Sequence, residues 1–223
     1  MAVTYQDVTI EVLGHATVRI TAPDETVIYI DPWSDQLPDQ PGDADLVIVT
    51  HDDYDHYDPE GIEAVSRSAA TIAAYEAIDV SGLERDVVSL PADGSTTVVG
   101  ITINTLPSHN DPAGEHVNEE GEPFHAPGEV IGVILDLDGV TVYFPSDTDF
   151  LEHHENVTAD VFLPPIGGHF TMDRHEAAAF ARSVAPALVV PVHYNTFEPI
   201  ETDASAFAAE LEAAGIEVAL EIP

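Results

Sequence analysis

"LVIVTHDDYDHYD", residues 46–58, runs from an unbroken apolar stretch straight into four aspartates and two histidines. An apolar run without alternation is the pattern of a strand covered on both faces, as in a sheet with a layer on either side. Ionisable groups at the carboxyl end of such a strand stand where α/β sheets place their ligand sites. In a chain this acidic the same cluster has a duller reading, as one more solvated patch. The other strand ends have to decide between the two.

Four further segments share the design: "ITINTLPSHN" (101–110), "VTVYFPSDTD" (140–149), "VFLPPIGGH" (161–169) and "LVVPVHYN" (188–195). Each drives an apolar run into a loop that carries His or Asp. Taken singly they are weak signals. His109 reads as a surface loop histidine, Asp147 as a turn aspartate and His193 as a satisfied core histidine. Together with His51, Asp55 and His56 they form the imidazole and carboxylate set of a hydrolytic metal site. Imidazole suits first-row transition ions, and a carboxylate can bridge two of them.

Around these segments the chain reads as a layered α/β sandwich, one domain over residues 1–223. Short β-branched runs at 8–14, 17–21 and 26–32 predict strands, with "PDE" (23–25) as a turn. A helix is predicted from Pro59 through "EGIEAVSRS" (60–68), with Asp58 as its N-cap. Further strands are expected at 71–75, 87–90, 160–165, 187–194 and 216–222. Residues 95–107 suit a hairpin or one long bent strand, and 129–147 a hairpin on an Asp-Gly turn. Helices are expected over 171–184, capped by Thr171, and over 202–215, closed by glycine. No short motif repeats. Residues 110–128, "NDPAGEHVNEEGEPFHAPG", form the one long irregular stretch, and loops of that length inside a domain are often functional.

Composition narrows the partners. Against 42 Asp and Glu stand five cationic side chains, all arginine, for a formal net charge of -37. Such a surface repels phosphate backbones and anionic membranes, so a small-molecule substrate is expected and nucleic acid and membrane are not. Acids spread along the whole chain point to adaptation to a salt-rich cytoplasm, where the Debye length falls to ~3 Å at 1 M. There are no cysteines, which removes thiolate ligands, disulfides and cysteine nucleophiles. The N-terminal residues lack a cationic start and a long apolar run, and no segment reaches the ~20 apolar residues of a membrane span. A cytoplasmic protein is expected, its oligomeric state open, homo-oligomers included.

The series His51, Asp55, His56, His109, Asp147 and His193 resembles the ligand series of the metallo-β-lactamase superfamily. More narrowly, "LGHATVRI" (13–20), "IDPW" (30–33), "LPPIGGHFTMDRHEAA" (163–178) and "VPVHYNTF" (190–197) resemble metal-dependent hydrolases related to ascorbate-6-phosphate lactonase. The resemblance implies a four-layer αββα sandwich with a site for one or two divalent transition ions (Zn, Mn or Fe) between the sheets. Carried over, it gives the first ion His51, Asp53 and His109. The second takes Asp55, His56 and His193, and Asp147 bridges. It further implies attack by a metal-bound hydroxide, oriented by Asp55, on a small ester, lactone or phosphate-containing substrate, with His169 contacting the substrate.

One position departs from the pattern. The superfamily's His-x-His-x-Asp-His stands here as His51-x-Asp53-x-Asp55-His56. Three carboxylates and one hydroxide would neutralise two divalent ions completely, where a histidine at 53 would leave one positive charge. That favours harder ions such as Mn²⁺ or Fe²⁺ over Zn²⁺. It also keeps open a non-catalytic metal-binding protein, beside a phosphodiesterase of the same fold. Against a phosphate substrate, the arginines offer no evident clamp, Arg174 alone lying near the best-matching segment. Asp31 reads as a turn residue or as the partner of a ligating histidine. His15 reads as packing or loop bonding, His116 and His125 as pocket or solvent residues, and His153 and His154 as solvent-facing.

Overall fold

Two seven-stranded sheets lie face to face in a computed structural model that describes residues 2–220. The first holds β1 (Ala2–Tyr5), β2 (Val8–Gly14), β3 (Thr17–Thr21), β4 (Val27–Ile30), β5 (Ala44–Val49), β6 (Ser66–Tyr75) and β7 (Val87–Leu90), in chain order. The second holds β8 (Gly94–Val98), β9 (Ile101–Ser108), β10 (Val130–Leu137), β11 (Val140–Phe144), β12 (Val161–Phe162), β13 (Leu188–Val189) and β14 (Glu217–Val218), again in order. In each sheet the first four strands are antiparallel neighbours and the last three add in parallel. The two halves therefore repeat one topology, although no short motif repeats in the sequence.

The parallel steps need crossovers, and the helices sit there. Helix α1 (Pro59–Val65) joins β5 to β6, α2 (Arg174–Val184) joins β12 to β13, and α3 (Ala204–Glu212) joins β13 to β14. Asp58 caps α1 as expected, accepting the Glu60 N–H with Pro59 at the first helical position. The helix is shorter than predicted. It stops at Val65, and "SRS" (66–68) opens β6, where Ser66 pairs with Ala44 of β5 and, past a register shift, Thr71–Ala74 pair with Leu46–Val49. Asp173 caps α2 in place of Thr171, accepting the His175 and Glu176 N–H groups. Asp203 caps α3. The last predicted strand is reduced to β14, and its final residues, 221–222, lie outside the described residues.

Apolar residues fall into two clusters. The larger joins the inner faces of both sheets, including Ile10, Ile20, Ile28, Leu46, Ile103 and Val133, and takes Ile62 and Val65 from α1. The smaller packs Phe180 and Val184 of α2 and Phe207 and Leu211 of α3 against Tyr143, Phe162 and Val189 of the second sheet. Residues 46–49 of β5 are wholly buried, which accounts for their lack of alternation. No helix among the described residues is long and apolar enough to cross a membrane.

Candidate metal centre

The carboxyl ends of β4, β5, β11 and β13 meet along one edge of the sandwich. They bring Asp31, the 50–58 segment, Asp147 and His193 together. Backbone and hydroxyl contacts tie the two sheets there. The His193 N–H donates to the His15 carbonyl at 2.8 Å, and the Thr50 and Ser146 hydroxyls lie 2.7 Å apart. Several of these turns are in the left-handed region: His15 (φ 52), Asp31 (φ 46), Ser146 (φ 60) and His193 (φ 54). Non-glycine residues there cost about 1–3 kcal/mol each in unfavourable cases, and such strain gathers at functional sites. Gly167 is required for a different reason. A Cβ on it would overlap the His193 carbonyl oxygen and the Ile200 side chain.

Asp147 lies at the centre. Its Oδ1 is 3.6 Å from His56 Nε2, and its Oδ2 is 3.1 Å from His193 Nε2 and 3.4 Å from His125 Nε2. Asp53 completes a second group, 3.3 Å from His125 Nε2 and 3.7 Å from His51 Nε2. Asp55, His56 and His193 gather with His15, whose Nε2 bonds Asp55 Oδ2 at 2.9 Å and whose Nδ1 meets Thr196 Oγ1 at 2.9 Å. His15, read from sequence as a residue of packing or loop bonding, thus hydrogen-bonds a carboxylate of the cluster. Asp31 is the partner of a cluster histidine. Fully buried, it accepts His56 Nδ1–H at 2.8 Å, the Thr50 hydroxyl at 2.6 Å and the Thr50 N–H at 2.9 Å.

Six of the seven expected metal residues are therefore brought together. The seventh, His109, does not join these groups, whereas His125 does. His109 directs Nδ1 to the Asn110 carbonyl at 2.7 Å and lies against the His153 ring at 6.2 Å. His109 stands just ahead of the 110–128 stretch, directly after β9, and His125 lies near its far end, before β10. The stretch folds back so that Asn110 and His125 pair, through Asn110 N–H to the His125 carbonyl at 2.9 Å and His125 N–H to Asn110 Oδ1 at 2.8 Å. Asp149 anchors the near end of the loop, accepting from Asn110 Nδ2, the Asp111 N–H and His116 Nδ1. A signal was present in the sequence. "FHAPGEV" (124–130) sets His125 five residues ahead of a buried strand, at the far end of the one long irregular stretch.

Of the remaining histidines, His169 is not drawn into the cluster. It is exposed, and its ring packs on Phe124 at 5.4 Å. Phe124 in turn lines a cavity of about 360 Å³ that opens onto His51, Asp53 and His125. His153 is exposed as expected, but His154 is buried and stacks on Phe180 at 5.1 Å.

The donor set fits divalent ions. His56 gives its Nδ1 proton to Asp31, and His51 directs Nδ1 to Thr50 Oγ1 at 3.0 Å. Both Nε2 atoms are buried without a hydrogen-bond partner and face the cluster, so each ring, once neutral, offers it a lone pair. Taken as protein groups alone, the charges compensate one another. Burial works against the charged form of His56, yet Asp147 and Asp31 raise it to about 10. Burial works against ionised Asp147, yet His193 and His56 hold it well below the usual carboxylate range. Burial and His56 keep His51 neutral, and burial and His193 bring His15 down to about 4. Burial likewise works against a charged His125, yet Asp53 and Asp147 raise it. Buried imidazolium charge held among carboxylates is a place where a cation can replace a proton.

Residues 9–193 match the beta-lactamase superfamily domain. The chain belongs to the beta-lactamase superfamily. Within the superfamily it is 34% identical over 206 residues to a UPF0173 metal-dependent hydrolase of Methanosphaerula palustris, covering 89% of each chain. It is 37% identical over 213 residues to one of Thermococcus kodakarensis, covering 90% of each. Among solved structures it resembles a metallo hydrolase from Ignicoccus hospitalis, with TM-score 0.80, 27% identity and coverage of 97% and 95%. A fold likeness alone, at 13% identity and TM-score 0.68, extends to a diiron β-hydroxylase from Streptomyces venezuelae, of which it spans 53%.

Proposed function

We propose that this chain is a metal-dependent hydrolase acting on small esters or lactones. Its first ion would be held by His51, Asp53 and His125, its second by Asp55, His56 and His193, with Asp147 between them. One observation carries the reading: two buried imidazoles whose Nδ1 atoms are fixed by hydrogen bonds and whose Nε2 atoms, without hydrogen-bond partners, face Asp147 (from His56, 3.6 Å) and Asp53 (from His51, 3.7 Å). Bound there, divalent ions would supply Lewis acidity and an acidified water. The chain's own residues do the rest. Asp31 and Thr50 fix the imidazoles, and His15 steers Asp55. Asp53 and Asp147 supply negative charge, and the Phe124 cavity seats the substrate. His169, across Phe124, borders the entrance. Asp53 in place of a histidine makes the site more anionic, which favours Mn²⁺ or Fe²⁺ over Zn²⁺.

The test is to strip the protein with chelator, restore Mn²⁺, Fe²⁺ or Zn²⁺ singly, and measure both bound metal and hydrolysis of generic esters and lactones. Up to two ions per chain and metal-dependent turnover are expected, with Asp53→His shifting preference toward Zn²⁺. Stoichiometric metal without turnover on any substrate would favour the non-catalytic metal-binding reading instead.

A further inference from the structure

All five arginines of the chain are committed to ion pairs on surfaces away from the cluster. Arg19 binds Glu11 and Asp43 at 2.6 and 2.8 Å, Arg67 binds Asp45 at 2.8 Å, and Arg85 binds Glu63 at 3.1 Å. Arg174 and Arg182 both turn to Glu210, at 4.0 and 2.6 Å. Since the chain has no lysine, no cationic side chain lines the cavity beside the cluster. The ionisable residues on its walls, apart from His51 and His125, are Asp52, Asp53 and Glu129. Asp52 and Glu129 are exposed, and neither belongs to the cluster.

The rest of the entrance is aromatic and apolar. Phe124, Ala77 and Ile78 share the cavity wall. Carboxylates beside an aromatic ring, here Phe124, are the chemistry that receives an ammonium group. They repel phosphate and carboxylate, which proteins ordinarily hold with Arg or Lys.

From this we infer that the substrate carries no negative charge and that an ammonium group near the acyl carbon is preferred: an amine-bearing lactone or ester, not a sugar phosphate or phosphodiester. The inference rests on the hydrolase reading above and names its substrate class. The reaction needs only water, which adds across the acyl C–O bond. The carbonyl carbon gains the hydroxyl, the ring or alkoxy oxygen gains the proton, and a hydroxy acid, or an acid and an alcohol, results.

Three lactones of one ring size separate the possibilities on the manganese-loaded protein: α-amino-γ-butyrolactone, γ-butyrolactone, and γ-butyrolactone carrying a ring carboxylate. Two fixed carboxylates near the ligand, at about 0.2 M salt, are expected to favour the cation over the anion by about tenfold in kcat/KM, and by less at 2 M. Asp52→Asn with Glu129→Gln is expected to lower the ratio of cationic to neutral turnover by about threefold. Equal or faster turnover of the carboxylated lactone, or a ratio unmoved by the double variant, overturns the inference. Calorimetric binding of the same three compounds gives an arm independent of turnover. If none is hydrolysed with any metal, γ-lactones are not substrates, while the hydrolase reading stands or falls on the wider ester panel and the binding order still decides the charge preference.

Discussion

Replacing Asp31 by asparagine isolates one carboxylate without disturbing the backbone, since asparagine tolerates the left-handed conformation that Asp31 adopts (φ 46). Three donors point at this side chain: His56 Nδ1–H at 2.8 Å and the Thr50 hydroxyl at 2.6 Å on Oδ2, and the Thr50 N–H at 2.9 Å on Oδ1. An amide offers one acceptor oxygen. Whichever way it turns, its NH₂ faces the Thr50 N–H or the His56 Nδ1–H. The site is fully buried, so no bulk water takes over the orphaned donor. Leaving one such donor unpaired costs about 1–3 kcal/mol of stability. Losing the carboxylate that orients a ligating imidazole typically costs about 10–100-fold in metal affinity. Asp31→Asn is therefore expected to bind its second ion about 10–100-fold more weakly in competitive chelator titrations, about 1.4–2.7 kcal/mol. The first ion, held by His51, Asp53 and His125, should change less. Wild-type affinity at both steps, within twofold, would show that His56 is not a ligand oriented by Asp31.

Further outcomes follow from the same geometry. His125→Ala is expected to retain no more than one ion per chain by elemental analysis, whereas His109→Ala retains the wild-type count; the opposite result would restore His109 to the site. His154 gives a pH test away from the metals. Its Nδ1 accepts the Leu151 N–H at 3.3 Å and its Nε2 meets the Pro107 carbonyl at 3.1 Å, so the neutral ring is fully engaged. Burial, above all, lowers it from 6.5 to about 4. Because the unfolded chain binds the proton more tightly, this contribution is complete above pH 6.5 and is lost as pH falls toward 4. It amounts to about 3 kcal/mol across that window. Denaturant titrations should show a shallower acid loss in His154→Gln, and an unchanged slope would refute the assignment. A net charge of -37 should make the melting temperature climb steeply between 0.1 and 2 M KCl as the Debye length shrinks from about 10 Å to below 3 Å; a flat response would mean that the acids are paired or irrelevant to folding.

Local rules were enough for much of this protein. The unbroken apolar run 46–49, the Asp-Gly hairpin at 138–139 and the Asp58–Pro59 helix start are dictated by neighbours in the chain, and all three stand in the fold. So did the positions of His51, Asp53, Asp55, His56, Asp147 and His193, because each follows directly on a strand or its extension whose end is fixed by burial. What sequence could not fix was set by contacts between distant residues. Helix α1 ends early because β5 claims Ser66 onward as a pairing partner. Asp173, not Thr171, caps α2. That His125 and not His109 lies beside Asp53 and Asp147 depends on how a nineteen-residue loop folds back on Asn110 and Asp149, and loop closure leaves no periodic trace in sequence. The repeated topology of the two sheets is likewise a property of strand pairing alone, since pairing is chosen by register and burial and different side chains can satisfy it.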